Sequence, residues 1–179
     1  MMRARAARGF TLVEVLVALV ILAFGMLAVA RLLARAGEAE IEAVQRTQAM
    51  TLAQDMIDRI QLNRRNAQQY VGDYVPDASL QTCSDGADPV TAVLQRDRCE
   101  WTNLLRGALV LDEGRPIGAP FNARGCITSP APNIYIVAIA WQGMVPTEAP
   151  DNPCGDGAYD REANRRVFST VMQIATLGA

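Results

Sequence analysis

The chain has 179 residues, a mass of 19.4 kDa and a formal net charge of −2, which suits one globular domain plus an accessory element. Apolar residues make up 50% of it, but they crowd between Phe10 and Ala30 and leave an ordinary polar remainder. All 17 basic residues are Arg and there is no His, so histidine-based catalysis is excluded and phosphate-binding basic clusters are scarce.

Residues 1–9, MMRARAARG, form a short basic leader. Its loss, with Arg3, Arg5 and Arg8, takes the formal charge from −2 to −5, and a mildly acidic chain is a poor nucleic-acid binder. From Phe10 to Ala30 the residues are apolar except for Glu14 and the small polar Thr11. As a helix this stretch spans roughly 32 Å, enough to cross a bilayer core. Arg31 and Arg35 close it. A conventional secretory signal would be cut after the run, at small residues such as Ala28-Val29-Ala30. The length of the run, the acid near its start and the sequence that follows argue against that reading.

Glu38 to Asn66 contains no Pro. Ile41, Val44, Ala49, Leu52, Ala53, Met56, Ile57 and Ile60 recur at three- and four-residue steps between Glu40, Glu42, Arg46, Gln54, Asp58 and Arg59, the pattern of an amphipathic helix lying on a domain. One helix from Phe10 to about Asn66 would be about 85 Å long, with Gly37 as a candidate bend. Beyond Tyr70, Gly72, Pro76, Gly86 and Pro89 mark a loop. Asp88-Pro89 then reads as an N-cap and first helical residue of a second helix ending near Arg106. Leu109-Val110-Leu111, Ala123–Thr128 and Asn133–Trp141 are strand candidates, the last two joined by Ser129-Pro130-Ala131-Pro132. A loop rich in Pro and Gly over 142–164 leads to a final strand over Arg165–Thr176.

Cys83, Cys99, Cys126 and Cys154 all follow the apolar segment, with no C-x-x-C spacing. Without His, the mixed zinc ligand sets are lacking, and the pattern reads as two disulfides in an oxidising compartment. Three pairings are open. The sequence neighbours, Cys83–Cys99 and Cys126–Cys154, are favoured because each pair falls within one loop-rich region, each contributing on the order of 3 kcal/mol.

Glu14 is the expensive residue. An acid at a membrane helix centre costs about 2.5–3.5 kcal/mol, less near an end, and so marks a partner or pathway. If the chain were cut after Gly9, Phe10 would acquire an amine one turn from Glu14, at the positive end of the helix dipole. The carboxylate of one subunit could then neutralise the amine of a neighbour and set register between them. The alternative is a Glu that snorkels to the headgroups from the helix end.

Gly9-Phe10-Thr11-Leu12-Val13-Glu14, with a basic leader before it and an apolar run after it, resembles the class III signal of type IV prepilins and type II secretion pseudopilins. The resemblance implies cleavage between Gly9 and Phe10 by a prepilin peptidase and N-methylation of Phe10. It also implies an assembly role for Glu14, with Thr11 beside it. The helix-breaking Pro common in that family's first helix has no counterpart here. The polar helix text (Gln48, Gln54, Asp55, Arg59, Asn63), a Cys in the following loop, the Asp97/Trp101 helix and a strand ending in Trp141 look like the minor pilin family PilV, the type IV pilus modification proteins. Such proteins are implied to join other minor pilins and the major pilin at the fibre tip, often with a tip adhesin, after residence in the inner membrane.

The expected fold is therefore α+β and pilin-like: a long N-terminal helix packed on a small antiparallel sheet, with a second short helix and disulfide-tied loops. The expected organisation is a leader over 1–9, a transmembrane and assembly half over 10–35, and a periplasmic or extracellular domain over 36–179. The expected function is a minor pilin that primes type IV pilus assembly, passing from the inner membrane to the surface fibre. A type II secretion pseudopilin and a non-polymerising anchored ectodomain are the alternatives. No G-x-S-x-G, phosphate loop or other catalytic set occurs, so no enzyme, cofactor or metal is expected. The acids Asp85/Asp88 and Asp151/Asp156/Asp160/Glu162 do not fit the twelve-residue calcium loop, because Pro153 falls where a ligand is needed, and read as solvated loop acids. Arg64-Arg65 and Arg165-Arg166 read as solvated surface pairs, and Trp101 and Trp141 as core.

Overall fold

The computed structural model describes residues 9–84 and 89–175. Helix α1 covers Leu12–Leu62 and helix α2 covers Pro89–Arg106. The strands are β1 (Gly72–Tyr74), β2 (Leu111–Asp112), β3 (Arg115–Pro116), β4 (Arg124–Ala131), β5 (Ile134–Gln142) and β6 (Arg165–Gln173). The chain divides into two compact units, Met1–Glu40 and Ile41–Ala179. The fold is α+β, as the sequence pattern implies.

In the second unit, four strands form an antiparallel sheet in the order β1-β4-β5-β6, while β2 and β3 make a separate two-stranded hairpin. Alternation along β5 divides its side chains between two layers. Tyr135, Val137, Ile139 and Trp141 join Ala49, Leu52, Ala53, Met56, Ile57 and Ile60 of α1 in the main core. Ala138 and Ala140 point to the opposite face, where Cys154 and Tyr159 cover them. A strand buried on both sides reads as the near-continuous apolar run IYIVAIAW.

Trp101 of α2 is the keystone of the main core. It is fully buried, its indole N–H donates to the Leu52 carbonyl at 2.9 Å, and its ring meets Tyr74 edge-to-face with centroids 4.8 Å apart. Its far edge lies over Gly125 of β4, where a Cβ would come within 2.2 Å of the ring. Here glycine is required by close approach, with α2 seated directly on the backbone of a strand.

Several boundaries differ from the sequence reading. α1 ends at Leu62 and not near Asn66: Arg64–Tyr70 tighten into a 3-10 helix. The Asn66 amide donates to the Asn63 side-chain oxygen at 2.8 Å, and such local bonds compete with α-helical geometry. β4 runs on through Pro130 to Ala131, which the sequence reading places in a loop. A register shift between Thr128 and Ala131 makes this tolerable, since Pro is accepted at bulges. β1 is too short to leave a periodic signal; it pairs Gly72 with Ile127, Asp73 with Cys126 and Tyr74 with Gly125. Asp88, the expected N-cap of α2, lies outside the described residues, as do Asp85 and Gly86. Gly37 lies within α1.

Candidate functional site

The N-terminal signal residues occupy the entry to α1. Gly9 and Phe10 precede the helix, and Thr11 acts as its N-cap. The Glu14 N–H reaches both the Thr11 carbonyl (3.1 Å) and the Thr11 hydroxyl (3.4 Å). Thr-x-x-Glu is the capping-box pattern, with the hydroxyl serving the N–H three residues on. Thr11 thus fixes where the helix begins, and so places Glu14 in its first turn, where the dipole favours a carboxylate. Among the described residues, Glu14 has no ion-pair partner. Phe10 is 80% exposed and the apolar side chains from Leu12 to Leu33 are likewise uncovered. This stretch of α1 is long and apolar enough to cross a membrane, and none of it is buried among the described residues.

The packed half of α1 begins at Gln45, which is buried. Ile41 and Val44, expected on the core face, are 45% and 52% exposed. At 100° per residue Val44 lies about 140° from the centre of the buried stripe, so it turns to solvent. Glu42 does face the domain: its carboxylate accepts the Met144 N–H at 3.0 Å and pairs with Arg166 at 3.3 Å. Arg166 also donates to the Ala163 carbonyl at 3.1 Å and to the Val145 carbonyl.

A second polar cluster joins α1, the 3-10 helix and α2. Arg59, one of the polar residues set between the apolar positions of α1, pairs with Asp55 at 2.7 Å, Asp97 at 3.1 Å and Glu100 at 2.8 Å. Burial works against its charge, but the hydrogen bonds to Asp55 and Glu100 outweigh it and hold the guanidinium protonated. The Tyr70 hydroxyl donates to Asp97 at 2.5 Å and accepts from the Asn63 amide at 3.0 Å. Burial first, and the bond to Asp97 next, push the Tyr70 phenol well above its usual range. The Asp55/Arg59 spacing of four residues was the one sequence hint of this cluster.

The structure joins Cys83 to Cys99 and Cys126 to Cys154. The first ties the loop before α2 to that helix, where Asn103 also clamps Gln81 through two bonds of 2.8 Å. The second fastens the 142–164 loop to β4. Arg165 corrects the expectation of a solvated arginine pair, because only 4% of it is exposed. Glu162, read as a solvated loop acid, is its partner at 2.5 Å, and that bond holds the Glu162 carboxyl below the usual range. Arg64 and Arg65 are exposed.

Residues 4–30 match the prokaryotic N-terminal methylation motif. Residues 32–104 match the Tt1218-like family, described as type IV pilin Tt1218. Over these two segments the chain is similar to type IV pilins. The two matched segments leave out only Arg31 between them, at the end of the apolar run, so together they take in the signal, the rest of α1 and nearly all of α2. The motif implies processing by a prepilin peptidase and assembly with other pilins, and the apolar start of α1 fits a membrane-anchored pilin. The pilin match points to a structural protein. No curated protein and no solved structure matches the chain. The signal and the packed helix are thus the recognisable parts, while β4, β5, β6 and the 142–164 loop lie beyond the matched residues.

Proposed function

We propose that the chain is a minor pilin of a type IV pilus, cut between Gly9 and Phe10, methylated at Phe10 and incorporated at or near the fibre tip. The observation that carries the reading is the coincidence of the methylation motif with an α1 whose first half is entirely uncovered. A free apolar helix of this length has two ordinary fates, a bilayer or a bundle of like helices, and a pilin uses both in turn. Residues 1–9 serve as the leader, 10–35 as the membrane and assembly half, and 36–179 as a domain that faces the periplasm before polymerisation. The two disulfides suit that compartment.

Glu14 would neutralise the Phe10 ammonium of an adjacent subunit, with Thr11 fixing the turn on which both groups sit. Other minor pilins, the major pilin and a tip adhesin are the partners this role requires. The looser likeness to the PilV proteins, in Asp97, Trp101 and Trp141, supports the minor-pilin role. Mass spectrometry of the N-terminus from native membranes tests the reading: the expected result is a chain beginning at methylated Phe10. An intact Met1, or a cut near Ala30, would overturn it. A type II secretion pseudopilin shares the same signal, and co-purification with pilus or secretion components separates the two.

A further inference from the structure

Arg165, at the start of β6 opposite Gln142, is enclosed by oxygen atoms. Its Nη1 donates to the carbonyls of Asn152 at 2.5 Å and Cys154 at 3.1 Å. Its Nη2 donates to the Pro150 carbonyl at 3.1 Å, with Asp156 Oδ1 at 3.8 Å. Its Nε donates to Glu162 Oε2 at 2.5 Å, and Glu162 Oε1 accepts the Gly157 N–H at 2.9 Å. Three carbonyls from alternate residues of one loop and the Glu162 carboxylate therefore converge on one buried positive charge, with the largely exposed Asp156 carboxylate at the rim. Carbonyl and carboxylate oxygens wrapped by a single loop are the donor set of a hard cation such as calcium.

We propose that Arg165 is a built-in cation: its guanidinium occupies the centre of an oxygen cage, formed by Pro150, Asn152, Cys154, Asp156 and Glu162, that would otherwise require a divalent ion. The loop gains from it what a bound ion supplies. Main-chain carbonyls that face inward with no partner would be costly to bury, and the guanidinium satisfies three of them at once. The caged loop delivers Cys154 and Tyr159 onto Ala138 and Ala140 of β5. The outer face of the sheet is therefore covered whatever the divalent-ion concentration outside the cell. This role does not depend on how the chain assembles.

The test is thermal unfolding of the full chain in detergent micelles, with either a calcium chelator or about 5 mM CaCl2, a level that saturates weak extracellular sites. The wild-type midpoint is expected to be the same in both buffers. Arg165→Ala should melt about 10 °C lower in chelator, as expected when a buried hydrogen-bonded charge is removed from a chain of this size, and calcium should restore at least half of the loss. Recovery of folded Arg165→Ala only in calcium would be the same result in its strongest form. Adding Glu162→Gln to Arg165→Ala should abolish the rescue. The proposal is overturned by wild-type stabilisation with calcium, by an Arg165→Ala midpoint indifferent to calcium, by failure of that variant to fold in both buffers, or by rescue that persists in the double variant.

Discussion

Burial of phenols and the placement of one acid are the residue-scale features with measurable consequences. Tyr70, Tyr74 and Tyr159 all have pKa values raised by burial above the ordinary 10.0, Tyr159 to about 12. The folded chain therefore keeps protons that the unfolded chain releases, and stability falls as pH rises past the ordinary value and on through the folded ones. The urea midpoint should decline steadily between roughly pH 9.5 and 11.5, and less steeply in Tyr70→Phe. A midpoint flat over that range, or an unchanged slope in the variant, would contradict this account. For Glu14 the proposed assembly role sets a second expectation. Glu14→Ala should insert as well as or better than wild type, sparing up to about 3 kcal/mol of burial cost. Its recovery in sheared fibres should drop on the order of tenfold, a loss equivalent to one modest ion pair. Equal amounts of variant and wild type in the fibre fraction would leave Glu14 as a residue that snorkels to the headgroups.

Helix α1 shows at the element scale how periodicity and packing diverge. The apolar stripe from Ile41 to Ile60 announced an amphipathic helix, but its count of apolar positions could not say which rotation about the axis the sheet would select. Glu42 meets the connection after β5, and Gln45 is buried while Val44 faces out. Met56→Ala, which empties a fully buried site, should cost about 2–5 kcal/mol. Val44→Ala should stay within about 0.5 kcal/mol in the isolated chain. Urea denaturation of the full chain in detergent compares them, and equal losses would mean that α1 is rotated from the orientation described. Other elements were partly legible. β5 was readable because a strand covered on both faces is continuously apolar, and α2 because Pro89 opens it. β1 was not readable, since three residues carry no period and only the pairing with β4 makes them a strand.

At the scale of the whole molecule, the sheet is covered on one side by α1 and α2 and on the other by the 142–164 loop, which the Cys126–Cys154 bond fastens to β4. Replacing both cysteines by Ser should cost about 3–4 kcal/mol through the freed loop and lower the melting midpoint by about 6–12 °C. An unchanged midpoint in the double variant would show that the Arg165 cage alone holds the loop. The sequence by itself determined the class III signal, the membrane-length apolar run, the amphipathic continuation and the α+β pattern, because each is a property of neighbouring residues along the chain. Only the tertiary structure decided that Trp101 lies on Gly125, that Arg59 gathers Asp55, Asp97 and Glu100, and that Arg165 is enclosed while Arg64 stays in solvent. Those outcomes depend on which distant segments meet, and a side chain's surroundings, unlike its helical period, are not written within a few residues of it.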